Sequence, residues 1–318
     1  MELEIDKLNG ELAFNEEKHI YWNTKHLDRK YTSVTTIISR YYPHFDEEFW
    51  SRYKALQKLV GEEVFDGPLK KSGKRGPASD MKKTLLDKKK FNYDFVYKNG
   101  IELNAFETEV LNIKASYKQA ADDACVRGTE YHQAKENKWY ESSKFKIGDL
   151  IPVDPSSEFV CEKHNFDLNR DKAILPEYLV YFTDKEGILH IAGQIDLLIK
   201  DGNDIYILDY KTNAKGMETK AYFDFKSKKT SRMYFPINNL DDHMLNHYTL
   251  QLSIYAWMLQ RINPEFNIKL LRLLHVDGEG VETDYDVPYL KDDVERLLKH
   301  FKRTLKAEKM QEENRRLL

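Results

Sequence analysis

Two aspartates and a lysine stand in strand-like segments where charged side chains are costly. Asp196 interrupts the apolar run at residues 195–199, and Asp209 and Lys211 come directly after the apolar run at 205–208. Side chains alternate along a strand, so Asp209 and Lys211 project to one face of it and Tyr210 projects to the other. A buried charge must be paired or must bind a cation. The pattern therefore predicts a site that combines carboxylates with an ammonium group.

A third acidic residue, Glu177, precedes them in another strand-like segment. Converging carboxylates suit Mg²⁺ or Mn²⁺, which take oxygen ligands and keep several waters. Such a cation polarises a phosphodiester and lowers the pKa of a coordinated water, and Lys211 can hold that water or offset developing charge. These residues predict a metal-dependent nuclease centre, with a structural cluster of ion pairs as the alternative.

The segments that carry these residues form a predicted β-meander. Residues 175–182, 188–199 and 205–211 are rich in β-branched and aromatic side chains, and the turn clusters at 184–187 and 201–204 separate them. Further strands are expected at 267–275 and 283–287 and a helix at 290–310. Near the N-terminus we expect a hairpin at 12–22, a helix or strand at 33–38 and an amphipathic helix at 45–60.

Two longer helices flank the meander in the sequence. Apolar residues at spacings of three or four predict a helix over 107–139, with His132 at the border of its apolar stripe. Its Gly128 would allow another backbone to approach closely. A helix over 241–261 would place Gln251 and Tyr255 on one face. Tyr255 could contact DNA there, or it could pack in the core.

The pattern as a whole resembles the PD-(D/E)XK nuclease superfamily, in its RecB-like exonuclease branch. The resemblance rests on residues 193–196 (Gly-Gln-Ile-Asp) and 207–212 (Ile-Leu-Asp-Tyr-Lys-Thr), on Gly128 and His132, and on Gln251 and Tyr255, in this order along the chain. It implies a catalytic set of Glu177, Asp196, Asp209, Lys211 and Gln251. It also implies that Mg²⁺ or Mn²⁺ is bound by Asp196, Asp209, Glu177, the Tyr210 carbonyl and His132.

Basic segments indicate where DNA would bind. Residues 66–104 hold ten basic and five acidic side chains, a local charge of about +5 that includes Lys82 and Lys83. This segment is either a solvated loop or a flap that follows the phosphate backbone. A second basic stretch, interleaved with aromatics, suits single-stranded DNA; its cations are Lys215, Lys220, Lys228, Lys229 and Arg232.

Composition narrows the class of protein. The 318 residues carry a formal net charge of −3, so a DNA-binding surface must be local. No apolar run is long enough to span a bilayer and the first residues are acidic, which favours a cytoplasmic protein with no membrane partner. The family resemblance implies that its cell is a bacterium or a phage-infected host. The only cysteines, Cys125 and Cys161, cannot supply the four thiolates of an iron-sulfur cluster, so no such cluster is expected.

These observations predict an α/β protein with a central mixed β-sheet flanked by helices. We expect an N-terminal region at residues 1–104 and a nuclease core at 105–318. The expected function is a metal-dependent DNA exonuclease that acts on single-stranded DNA or on frayed ends. A structure-specific or sequence-specific endonuclease and a catalytically inactive nucleic-acid-binding protein are the alternatives, and the pattern leaves the oligomeric state open.

Overall fold

The computed structural model describes residues 4–61, 102–141, 147–154, 156–163, 166–224 and 228–317. It divides into two compact units, Met1–Pro43 with Arg127–Leu318, and His44–Val126. We call them the large unit and the small unit. The boundary predicted between residues 104 and 105 lies within a long helix and stays a prediction. Most of the basic segment at 66–104, including Lys82 and Lys83, lies outside the described residues.

The described elements match most of those predicted. The strands are β1 (Lys7–Asn9), β2 (Leu12–Asn15), β3 (Ile20–Asn23), β4 (Thr32–Ser33), β5 (Lys172–Thr183), β6 (His190–Asp201), β7 (Asp204–Lys211), β8 (Phe223–Asp224), β9 (Lys229–Thr230), β10 (Asn267–Val276) and β11 (Glu282–Asp286). The helices are α1 (Val34–Ser39), α2 (Glu47–Val60), α3 (Leu103–Glu141), α4 (Met244–Ile262) and α5 (Lys291–Leu317), with a 3-10 turn at Ile147–Asp149.

The large unit is built on a mixed sheet of six strands. The order is β11-β10-β7-β6-β4, and β5 pairs with the other edge of β6. β10 runs parallel to β7 and β4 runs parallel to β6, whereas the remaining pairs are antiparallel. The predicted mixed sheet flanked by helices is confirmed.

One edge of β6 is shared by two partners. Its second half pairs with β7 from Leu197 to Asp201, and its first half pairs with β4 at Ile191 and Ala192. β7 leaves β6 beyond the pair of Leu197 with Leu208 and continues along β10 as far as Lys211. The sheet therefore forks at this point.

Helices cover one face of the sheet, and a 3-10 turn with the residues after it packs on the other. On one face α1, α4 and α5 share a core with the strands, and the eleven residues 249–259 of α4 are all buried. On the other face Ile147 and Ile151 pack against Ile174 and Leu197. Each buried side chain of this size contributes about 1.5–3 kcal/mol relative to an exposed one. Leu12, Phe14 and Tyr21 of β2 and β3 form a further cluster with Tyr31, Leu179 and Ala192.

The small unit has a core of its own. Phe49 and Leu56 of α2 pack with Phe106 and Val110 of α3. Asp46 caps α2 by accepting a hydrogen bond of 3.0 Å from the Phe49 N–H, and this satisfies a backbone donor that the first turn leaves free. The helix predicted at 45–60 is thereby confirmed.

The apolar stripe predicted along α3 is only partly buried. Phe106 and Val110 are buried, whereas Ala121 and Ala124 are exposed. An alanine side chain presents little apolar surface, so leaving it in water costs little. Within the described residues, none of the helices combines the length and apolar character needed to cross a membrane.

Candidate active site

The fork between β6 and β7 creates the space for the candidate site. Asp196 and Asp209 are the next residues beyond the last pair, Leu197 with Leu208. The Tyr210 N–H donates a hydrogen bond of 2.7 Å to Oδ2 of Asp196. Because the N–H and C=O of a strand residue point to the same edge, the Tyr210 carbonyl also faces the fork. Its role as a metal ligand stays a prediction.

Three of the predicted metal ligands converge there. His132, Glu177 and Asp196 each offer one ligand atom, and these atoms all lie within 4.8 Å of one another. Nδ1 of His132 is 3.5 Å from Oδ1 of Asp196 and 3.8 Å from Oε1 of Glu177. Carboxylate oxygens suit Mg²⁺ and Mn²⁺, and an imidazole beside them is compatible with a transition metal. The donor set therefore fits a divalent cation.

The pKa shifts in this cluster also fit a site for a divalent cation. Burial, together with the neighbouring Asp209, raises the pKa of Asp196 above its ordinary value. Burial alone would lower the pKa of His132, but Asp196 and Glu177 outweigh it and raise that pKa to about 9. Both shifts show that the cluster favours added positive charge, from a proton or from a divalent cation.

Glu177 sits at an irregular position of β5. Pro176 pairs with Leu197 and Tyr178 pairs with Ile195, but Glu177 between them is not paired in the ladder. Its φ angle is +53°. A non-glycine residue in this left-handed region costs on the order of 1–3 kcal/mol, and such strain is concentrated at functional sites. The acidic residue of the cluster therefore stands where β5 departs from regular strand geometry.

Two further side chains hold the Glu177 carboxylate, and sequence reasoning missed both. The Gln194 amide donates to Oε2 of Glu177. Nζ of Lys7 lies 3.5 Å from the same oxygen and 2.8 Å from Oε1 of Glu16, with only 6% of its side chain exposed. Lys7 comes from a three-residue strand with no distinctive pattern. Gln194 stands two residues before Asp196 in the motif, which was the one available signal for it.

Asp209 is held by a different set of partners. It is 1% exposed, forms an ion pair with Lys211 through Oδ2, and accepts a hydrogen bond of 3.3 Å from Gln251 through Oδ1. Burial lowers the pKa of Lys211, but the charges of Asp209 and Asp196 outweigh that effect and leave the pKa above its ordinary value. Its ammonium group lies 4.7 Å from the centre of the Tyr248 ring. Asp209 therefore links the acidic cluster to a charged lysine.

The geometry agrees with comparisons with known proteins. A family model described as the PD-(D/E)XK nuclease superfamily matches residues 103–316. The chain belongs to the PD-(D/E)XK nuclease superfamily. It is also similar to the RecBCD enzyme subunit RecB of Borreliella burgdorferi, with 23% identity over 211 residues that cover 65% of this chain and 16% of RecB. The chain thus spans about a sixth of that relative. No solved structure matches it significantly.

In this PD-(D/E)XK chain, Tyr255 has a buried position. It is 3% exposed, and its hydroxyl accepts a hydrogen bond of 3.1 Å from the Gln251 amide, which also contacts Asp209. Its ring lies against Gly193, where an added Cβ would be 2.5 Å from Cε1. This burial argues against the DNA contact expected for Tyr255. The Tyr255 hydroxyl instead holds the Gln251 side chain through this hydrogen bond.

The predicted DNA-binding cations lie on the surface. Lys215, Lys220, Lys228, Lys229 and Arg232 are exposed. Arg232 is paired with Asp241 at 3.0 Å and donates to the Asn239 carbonyl at 2.8 Å, so part of its charge is already compensated. The contact of these five residues with DNA stays a prediction.

Proposed function

We propose that this protein is a divalent-metal-dependent deoxyribonuclease that degrades single-stranded or end-frayed DNA from a free end. The carrying observation is that His132, Glu177 and Asp196 converge at the fork of the sheet, next to the ion pair of Asp209 with Lys211.

Each residue has a role that its contacts support. Asp196 and Glu177, with His132, would hold Mg²⁺ or Mn²⁺, which would polarise the phosphodiester and lower the pKa of a coordinated water. Asp209 would complete the ligand set once the cation compensates its charge. Lys211 would hold the attacking water and stabilise the negative charge that develops on phosphate oxygens. Gln251 keeps Asp209 in place for both tasks.

The surroundings of the site support action at a free end. A cavity of about 350 Å³ is lined by Gly128 and His132 on α3, by Lys7 and His19 of the N-terminal hairpin and by Glu177. Side chains from α3 and from the N-terminal segment thus border one cavity together with Glu177. A single strand fits such a space more readily than a duplex, which presents a much wider cross-section.

The deciding experiment compares DNA with and without ends. Linear and circular single-stranded DNA, and linear and closed circular duplex DNA, are each incubated with the protein in Mg²⁺ or Mn²⁺. We expect linear single strands to be degraded to short products while circular single strands survive. The Asp209→Asn variant and a chelator should each abolish cleavage, and DNA binding by the variant should persist.

Three outcomes would change the assignment. Rapid linearisation of the single-stranded circle, absent in Asp209→Asn, would identify an endonuclease. Full activity in chelator or in the variant would overturn the metal-dependent mechanism. Binding without cleavage of any substrate by the wild-type protein would favour a nucleic-acid-binding protein.

A further inference from the structure

A second cavity lies next to the one over the candidate site. Its volume is about 1130 Å³, roughly three times the 350 Å³ of its neighbour, and His19 lines both. The residues that line it all fall between Ile5 and Arg40. This segment precedes residues 103–316, which the nuclease family model matches, and it contains neither of the basic stretches found in the sequence. We call this cavity the N-terminal groove.

The lining of the N-terminal groove carries only positive formal charge. Among the described residues it includes Arg29, Lys30 and Arg40 and no aspartate or glutamate. Arg40 is partly compensated by Glu308 at 3.2 Å. Within the described part of the chain, Arg29 and Lys30 have no ion-pair partner. In a protein with a formal net charge of −3, this is a local surface suited to an anionic ligand.

Aromatic and apolar side chains stand among these cations. Trp22 and Lys30 form an antiparallel bridge, and residues directly opposite in such a pair project to the same side. Both line the groove, together with Ile20 and Leu27, which are 41% and 76% exposed. An ammonium group beside an indole ring, with apolar surface around them, matches the needs of single-stranded DNA, whose phosphates seek charge and whose bases seek flat apolar faces.

The groove adjoins the cavity over the candidate site, because His19 lines both. Thr32 and Ser33 line the groove and form β4, which pairs with β6 at Ile191 and Ala192, only a few residues before Asp196. Tyr21, another lining residue, is buried and close enough to the acidic cluster for the charges of Glu177 and Asp196 to act on its hydroxyl. DNA that lies in the groove would therefore pass His19 on its way to the site.

We propose that the N-terminal groove binds a single-stranded segment of DNA adjoining the phosphodiester at the candidate site. Arg29 and Lys30 contact its phosphates, and Trp22 and Leu27 contact its bases. A duplex does not offer its base faces to Trp22, so the groove favours unpaired DNA. This inference rests on the proposed function, since it assigns the substrate path of that same site.

The test separates DNA binding from cleavage. Binding of an end-labelled oligothymidine is measured by fluorescence anisotropy at several salt concentrations, in the Asp209→Asn background. Arg29→Glu/Lys30→Glu is compared with Lys291→Glu/Lys299→Glu, which changes the charge equally at exposed positions of α5 outside the groove. If the groove double variant does not fold, Arg29→Gln/Lys30→Gln takes its place.

We expect the groove variant to bind at least about tenfold more weakly. Its log-log salt slope should also be shallower by roughly 1.4, since each lost single-strand phosphate contact changes the slope by about 0.7. Trp22→Ala should weaken binding without changing the salt slope. The α5 control should stay within about twofold of the parent.

The failure of this inference can be told apart from that of the proposed function. The proposed DNA binding by the groove is wrong if the groove variant binds with unchanged affinity and an unchanged salt slope. It is also wrong if the α5 control loses as much affinity as the groove variant. Both conclusions hold even if the wild-type protein cleaves DNA. Groove-dependent binding by a wild-type protein that cleaves no DNA would support the groove and overturn the nuclease proposal.

Discussion

Gly193 provides a sharp test of how the candidate site is supported. An alanine Cβ at this position would lie 2.5 Å from Cε1 of Tyr255 and 3.3 Å from both Cζ and the hydroxyl oxygen. Carbon atoms in contact normally lie about 3.5–4.0 Å apart, so the ring would have to move by about 1 Å. Tyr255 is only 3% exposed, and the packing around it resists such a shift.

The displacement would reach the proposed catalytic residue Asp209 through two hydrogen bonds. Gln251 donates to the Tyr255 hydroxyl at 3.1 Å and to Asp209 at 3.3 Å, so a shift of about 1 Å would break or reorient one of them. Overpacking of a core costs about 1–3 kcal/mol of unfolding free energy. A misplacement of about 1 Å near the reacting groups can slow an enzyme by about a hundredfold. We expect both effects for Gly193→Ala.

The assay measures the rate of DNA cleavage and the unfolding free energy of four proteins. They are wild type, Gly193→Ala, Tyr255→Ala and the double variant. Without the ring, the added methyl group has no clash, so Gly193→Ala should have little further effect in the Tyr255→Ala background. Gly148→Ala is the matched control, because nothing lies within 4 Å of its added Cβ. Equal effects of Gly193→Ala in both backgrounds would refute the reasoning.

Three further predictions concern individual side chains. Lys211→Ala should slow cleavage by roughly a hundredfold or more without weakening calorimetric Mn²⁺ binding, and a loss of Mn²⁺ affinity that matches the loss of rate would show that Lys211 only supports the site. Lys7→Met removes a positive charge 3.5 Å from Glu177, so Mn²⁺ should bind more tightly; weaker binding would mean that Lys7 positions the carboxylate instead. Burial raises the pKa of Asp184, but Lys302 and two backbone N–H groups outweigh it, and the pKa lies below its ordinary value. The stability that Asp184 contributes is therefore present above its unfolded pKa and lost as the pH falls through its folded pKa. In urea unfolding below about pH 4, Asp184→Asn should accordingly show a shallower loss of stability than wild type, and parallel curves would contradict this.

Much of the site could be predicted from local sequence because its charged residues interrupt apolar strands. Asp196 and Asp209 stand out for that reason, and the turns around them fix the order of β5, β6 and β7. The fork could not be predicted, because it depends on β4, a two-residue strand far away in the chain that pairs with β6. The local pattern identifies the carboxylates but not the separation of the strands that gives them room.

Tyr255 shows where periodicity stops being informative. Every residue from 249 to 259 of α4 is buried, so no polar face marks the side of the helix that points to the site. Gln251 and Tyr255 do lie together, as the four-residue spacing predicts, but the ring fills space behind the glutamine. A helix buried on all sides can be located from sequence, whereas the role of each side chain depends on its neighbours in space.

The N-terminal segment completes the site although it lies outside the part matched by the family model. Asn9 donates a hydrogen bond of 2.7 Å to the Leu179 carbonyl and thereby ties β1 to the strand that carries Glu177. Lys7 on that same β1 strand reaches the Glu177 carboxylate. Val34 and Ile37 of α1 belong to the main core with α4 and the sheet. Because a buried carboxylate is stable only with compensating partners, the strained Glu177 depends on side chains more than a hundred residues away. The unit that positions the proposed catalytic groups is therefore Met1–Pro43 together with Arg127–Leu318, and a fragment limited to the matched residues would lack one side of the candidate site.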